Sequence, residues 1–156
     1  MDIRPITNET ELHQAVELFR SQPQFFYKED VIRTHEDISA WLESRTPGEY
    51  FAGFQGGKLV ACLGYMKDPQ GDRVYHLSHF AVDKDLRRQG LGRQMLRFVE
   101  ERLAALGARL IAVWTSPLDY TKETRAFYEA MGYVHRADIP DYWRDGDPLA
   151  FYTKKL

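Results

Sequence analysis

The segment Arg87-Arg88-Gln89-Gly90-Leu91-Gly92 constrains the fold more than any other stretch of this chain. An apolar run ending Phe80-Ala81-Val82 leads into it, and an amphipathic run opens at Leu91. Leu91, Met95, Leu96, Val99, Leu103 and Leu106 recur at helical spacing, and Gly107 suits the position just past a helix end. Strand, glycine turn and helix start, in that order, build an anion site. Glycines remove the Cβ atoms that keep an anion from the backbone. The first helical turn leaves N–H groups unpaired at the positive end of the dipole. Arginines add forked donors that suit phosphate oxygens. A pyrophosphate is the ligand this order predicts; a plain tight turn with solvated arginines is the alternative.

The bulk properties narrow the classes. A chain of 156 residues, 44% hydrophobic and 28% charged, reads as one globular domain over residues 1–156. A net charge of −2 lacks the basic excess of a nucleic-acid binder, so the arginines near 87–93 are a local concentration. No apolar stretch reaches the ~20 residues of a membrane span. Met1–Pro5 lacks a signal-peptide core, which makes cytoplasm the expected compartment. Cys62 is the lone cysteine; its apolar surroundings predict a small buried hydrophobe rather than a nucleophile. His13, His35, His76, His79 and His135 show neither HExxH nor Cys-His spacing, so no metal site is expected.

Periodicity lays out the rest. Ile3 to Ile6 predicts a short edge strand, because Pro5 cannot donate to a ladder. Residues 9–21 and 29–44 predict two helices, joined by the aromatic loop Phe25-Phe26-Tyr27. Tyr50–Phe54 and Leu59–Met66 flank Gln55-Gly56-Gly57-Lys58 as a hairpin, and Val74–Val82 follows as a third antiparallel strand after a turn at 67–73. Ala108–Thr115 is a nearly all-apolar strand covered on both faces. Residues 121–131 form a short helix ended by Gly132, and Tyr133-Val134 and Leu149–Thr153 are two late strands. The fold class is α/β: one mixed, mostly antiparallel sheet of about six or seven strands with helices on both faces.

Two motifs carry a resemblance. Arg87, Gly90 and Gly92 match the Arg/Gln-x-x-Gly-x-Gly/Ala pattern of the GNAT superfamily, the Gcn5-related N-acetyltransferases. Downstream, Thr124-Arg125-Ala126-Phe127-Tyr128-Glu129-Ala130-Met131-Gly132-Tyr133 resembles the family's Ala-x-x-Phe-Tyr-x-x-x-Gly-Phe. The resemblance covers nearly the whole chain. It implies acetyl-CoA as cosubstrate and no metal, with the pyrophosphate on the amides of Gln89–Arg93 and on Arg87, Arg88 and Leu91. It also implies the pantetheine arm beside Phe80, Ala81 and Val82, and a V-shaped split between the fourth and fifth strands. Phe127 and Thr121 complete the expected cofactor set. Thr121 stands where relatives often carry Asn.

The implied chemistry is acetyl transfer to a primary amine, of a small molecule or a protein N-terminus, by direct attack in a ternary complex. Tyr128 occupies the family's general-acid position; a packed aromatic with a backbone-bonded hydroxyl is the alternative. His76 is the candidate base, with a core-satisfied histidine as its alternative. Simple alternation puts His76 and Ser78 on one face with Phe80 and Val82, and His79 on the other unless a bulge intervenes. Trp114 stands where some relatives have a glutamate base. A backbone N–H near Ala81 or Val82 is the expected oxyanion donor. Phe25, Phe26, Tyr27, Trp114 and Tyr142 are the candidate acceptor-pocket residues. Asp138, Asp141, Asp145 and Asp147 lie in a late-strand loop that would attract a cationic amine or stay solvated. A homodimer is a compatible assembly. A non-catalytic acyl-CoA-binding module is the other function class that fits both motifs.

Overall fold

The computed structural model describes residues 1–45 and 48–156. Among these residues, four helices and seven strands run in the order β1 (Asp2–Pro5), α1 (Glu9–Arg20), α2 (Lys28–Ser44), β2 (Gly48–Gln55), β3 (Lys58–Lys67), β4 (Val74–Val82), α3 (Leu91–Ala105), β5 (Leu110–Thr115), α4 (Lys122–Ala130), β6 (Val134–Arg144) and β7 (Asp147–Lys155). Short 3-10 turns at Lys84–Leu86 and Asp119–Thr121 precede α3 and α4. The strands form one sheet in the order β1-β2-β3-β4-β5-β7-β6. All neighbours are antiparallel except β4 and β5.

Local chemistry explains the boundaries. Asn8 caps α1 by accepting the Glu11 amide at 3.0 Å, and Glu11 returns a bond to the Thr7 amide at 2.8 Å. Pro5 ends a strand at the sheet edge, where a missing donor costs nothing. Gly90, at φ +81°, is the N-cap of α3. An L-residue with a side chain rarely adopts that dihedral, and glycine adopts it freely.

Each sheet face has its own core. On one, Met95, Leu96, Val99 and Leu103 of α3 pack on Leu63, Ile111 and Val113, together with Tyr128 of α4. On the other, Leu12, Val16 and Phe19 of α1 and Ile38 and Trp41 of α2 pack on Tyr50, Cys62 and Ala81. Cys62 is fully buried there, and burial pushes its thiol up to about 12. It is a core residue, as its surroundings predicted.

The parallel contact between β4 and β5 positions the site. Only Val74, Tyr75 and His76 pair with β5, facing Leu110, Ile111 and Ala112. β5 then turns its full length to β7, so β4 from Leu77 to Val82 has no strand neighbour on that side. The two strands splay and leave the V implied by the family resemblance.

Two expectations are corrected. The late segment is no loop: β6 runs unbroken to Arg144 and turns through Asp145-Gly146 into β7. Register shifts at His135/Ala137 and Ile139/Arg144 disguise its periodicity, and Asp141 sits at φ +53°. The second correction concerns the phase of β4. Its pairing with β3 jumps from Gly64↔Ser78 to Cys62↔Ala81, a bulge that places His79 at φ +52°. Tyr75 and Leu77 before it, and Phe80 and Val82 after it, pack on the α3 side. Ser78 meets Tyr50, and His79 meets Phe19 and Tyr50, on the α1/α2 side. His76 and Ser78 therefore do not share a face with Phe80 and Val82. The bulge brings His79 round to join them.

Candidate active site

Two cavities flank the splayed strands. The first, about 790 Å³, runs between the end of β4 and the start of α3 and α4. Phe80, Ala81 and Val82 form one wall, Thr121, Phe127 and Tyr128 the other, and Arg87, Arg88 and Gly90 through Arg93 close the end. The first turn of α3 carries neither a side-chain cap nor an acidic residue. Its unpaired amides meet no competing carboxylate on their own helix, which suits an incoming anion. A Cβ on Gly92 would lie 3.6 Å from Phe127 and 3.7 Å from Phe80, an ordinary contact. The protein could hold a side chain there; leaving it out keeps the cleft open beside the amides.

The turn residues divide in a way the motif did not reveal. Arg87 points back into the protein. Its Nη2 donates to Gln22 Oε1 at 2.7 Å, and its guanidinium lies 4.1 Å above the Phe25 ring. Partial burial lowers its pKa from the usual guanidinium value. Gln22 is 0% exposed and donates its Nε2 to Leu18 O and Val82 O, fixing the end of α1 to the end of β4. Arg88, at φ +61°, is exposed and pairs with Glu123 at 3.1 Å. Gln89 is exposed and outside the cleft lining. Thr121 is buried in the cleft wall, but its hydroxyl proton is spent on the carbonyls of Ser116 and Leu118, leaving its oxygen as an acceptor only.

The second cavity, about 890 Å³, lies on the α2 side of the V. Two His–Asp pairs line it. His76 Nε2 is 2.6 Å from Asp68 Oδ2, and His79 Nε2 is 2.7 Å from Asp37 Oδ2. Their remaining nitrogens differ. Thr34 gives its hydroxyl proton to Asp30 O at 2.8 Å, so at 2.9 Å it can only accept from His79 Nδ1. Both nitrogens of His79 have partners, Asp37 at Nε2 and Thr34 at Nδ1. His76 Nδ1 is buried and has no hydrogen-bond partner among the described residues. With Nε2–H held by Asp68, that nitrogen carries the free lone pair. The carboxyl of Asp68 is lowered to about 2, first by His76 and then by the amides of Gly71 and Gln70. Trp114 packs on His76, 4.6 Å between ring centroids, and Tyr142 stands beyond it at 6.2 Å.

Tyr128 belongs to both cavities, with Phe26, Phe80, Thr115 and Thr124. It is 5% exposed, and its hydroxyl has no hydrogen-bond partner among the described residues. Burial pushes that hydroxyl above the ordinary phenol range, so it keeps its proton at neutral pH. A structural tyrosine buried to this extent normally bonds its hydroxyl to the protein. This one does not, and it stands where the two cavities meet.

The aromatic loop is split by the structure. Phe25 lines the first cavity rather than an acceptor pocket, and Phe26 lines both. Tyr27 lines neither: the Arg144 guanidinium lies 3.5 Å above its ring, and Tyr120 is 6.0 Å away. Three of the late acidic residues are also committed elsewhere. Asp147 is buried against Ser116 and Tyr120, Asp138 pairs with His135, and Asp141 accepts the Gly146 amide. Sequence reasoning missed Asp68, Asp37, Thr34 and Gln22. Asp68 reads as a turn residue, which it also is; nothing local announces its second oxygen on His76.

The sequence model of the acetyltransferase (GNAT) family matches residues 12–133. The chain belongs to that family. No curated protein matches the sequence. Among solved structures, a GNAT-family protein from Desulfovibrio desulfuricans is similar over 99% of this chain and 98% of its own, at 22% identity and a TM-score of 0.91. An aminoglycoside 6'-N-acetyltransferase complexed with coenzyme A is similar over 99% and 97%, at 20% identity and a TM-score of 0.76. The ribosomal-protein-S18-alanine N-acetyltransferase of Escherichia coli is similar over 99% and 93%, at 19% identity and a TM-score of 0.78. Among the described residues, no helix is long and apolar enough to cross a membrane.

Proposed function

We propose that this acetyltransferase binds acetyl-CoA in the first cavity and a primary amine in the second, and that the amine attacks the thioester directly where they meet. The observation that carries this reading is the unpartnered Tyr128 hydroxyl at the junction. The pyrophosphate would rest on the first-turn amides of α3, within reach of Arg93, which is exposed and without a partner among the described residues, and of Arg88 once it leaves Glu123. Arg87 holds the cleft together through Gln22 and Phe25. The pantetheine arm would lie along Phe80, Ala81 and Val82, beside the stretch of β4 that β5 leaves unpaired.

In the reaction the amine nitrogen forms a bond to the thioester carbon while the C–S bond breaks. The amine proton passes to Nδ1 of His76, which Asp68 holds in orientation through Nε2. The departing sulfur takes the proton of Tyr128. The free amine becomes an acetamide and CoA leaves as the thiol. His79 is the poorer base because both its nitrogens already have partners in the protein. The lone cysteine is equally unsuited to an acetyl-enzyme, being fully buried with its thiol pushed up to about 12. Two of the neighbouring structures are, by name, N-acetyltransferases of an aminoglycoside and of a ribosomal-protein alanine, which supports an amine acceptor.

Calorimetry with acetyl-CoA, combined with a free-thiol release assay over a panel of small amines and peptides, tests the reading. Binding together with amine-dependent thiol release is expected. Binding without release on any amine would instead favour a non-catalytic acyl-CoA module.

A further inference from the structure

The acceptor cavity holds an asymmetry of charge that the transfer reaction does not use. Asp30, Arg33, Thr34 and Asp37 lie on one face of α2 and line the cavity. Arg33 has a carboxylate three residues before it and another four after it, the spacings at which helical ion pairs form. It pairs with neither. Asp30 accepts the Tyr27 amide at 2.8 Å, and Asp37 accepts His79 at 2.7 Å. At another wall, Lys67 ends β3 beside Asp68. Asp68 is likewise spent, on the Gln70 and Gly71 amides and on His76. Arg33 and Lys67 are exposed and have no hydrogen-bond or ion-pair partner among the described residues. All three carboxylates of this cavity thus accept from protein donors, and both of its long cations lack a partner among the described residues. The aromatic side chains of Phe26, Trp114 and Tyr142 line the same cavity.

We propose that the acceptor amine carries an anionic group, as a small amino acid with an apolar or aromatic side chain does, and that Arg33 and Lys67 receive that group. The guanidinium of Arg33 offers the forked donors that fit a carboxylate, and Lys67 adds a point charge. The amine of the same molecule then turns toward His76, and its side chain lies on the aromatic wall. This deepens the acetyl-transfer reading and rests on it for the amine.

Phenylalanine, phenylalaninamide and phenethylamine share the ring and the amine and differ in the anionic group. Their binding to the CoA-saturated protein is measured by calorimetry, and their acetylation by thiol release from acetyl-CoA. Phenylalanine is expected to bind about tenfold more tightly than the other two, the size expected of two solvent-screened charge contacts. The double variant Arg33→Ala/Lys67→Ala is expected to reduce that difference to within about twofold. Equal binding of all three, tighter binding of the amide or amine, or no measurable binding of any, overturns the proposal. A preference that survives the double variant overturns the assignment to these two residues. A carboxylate preference lost in the variant but unaccompanied by thiol release supports the anion site and counts against acetyl transfer, so the two failures are told apart.

Discussion

The two cavities on either side of the split sheet are built by different means. The donor cleft is mostly backbone: an edge of β4 without a strand partner, a glycine N-cap, and first-turn amides with no competing acid. The acceptor cavity is mostly side chains, held by bonds between β4 and α2 and between β4 and the 68–71 turn. Backbone geometry survives most substitutions, so one donor can be kept while side chains on the other side change. On the proposed reading, the carrier molecule would be recognised by what the sheet and helix present anyway, and the acceptor by side chains brought together from separate elements.

The sharpest way to test the acceptor side is to remove its free nitrogen. His76→Ala is expected to lower kcat by roughly a hundredfold or more, the usual contribution of a positioned base. CoA affinity should stay near the parent value. A variant that keeps the parent rate would return His76 to a structural role. On the donor side, Gly92→Asp is the complementary break. An acidic residue in the first turn suits the helix dipole, so α3 should fold normally. The carboxylate competes for the amides and repels pyrophosphate, and losing two charge-assisted bonds weakens CoA binding by about a hundredfold. Calorimetry reads this directly, and unchanged affinity would move the phosphate elsewhere.

A smaller effect belongs to Asp68→Asn, which keeps the shape of the turn but no longer fixes the histidine's orientation and tautomer. A drop in kcat of about tenfold is expected, with CoA affinity unchanged, because positioning rather than proton transfer is lost. The same variant carries the smallest effect, on acid stability. The Asp68 carboxyl is lowered in the fold from its usual 3.8 to about 2. Its stabilisation is complete above the unfolded value and is lost as pH falls toward the folded one. The stability gap between parent and Asp68→Asn, followed by denaturant unfolding, should therefore narrow between about pH 4 and pH 2. A gap that stays constant through that window would mean Asp68 and His76 do not interact as placed.

What the sequence told, and what it withheld, follows the same division. The order of strands and helices came from apolar periodicity and from glycines at 90, 107 and 132, all local signals. The donor turn was readable because its parts lie within one short segment, although the inward role of Arg87 depended on Gln22, far away in the chain. The bulge at His79 was not readable. One extra residue in β4 relative to β3 leaves no compositional mark, yet it decides which histidine faces what. Asp37, Asp68 and Trp114 come from separate elements and meet only in the fold. Trp114, noted as a missing base, now has a place: it packs on the histidine that can replace that base.

Tyr128→Phe tests most directly whether donor and acceptor meet at the unbonded Tyr128 hydroxyl. Thiol release and acetyl-CoA binding are measured side by side on the parent and the variant. A kcat lower by about a hundredfold is expected, with acetyl-CoA affinity unchanged to within about twofold. Turnover at the parent rate across the pH range would contradict a role for that hydroxyl.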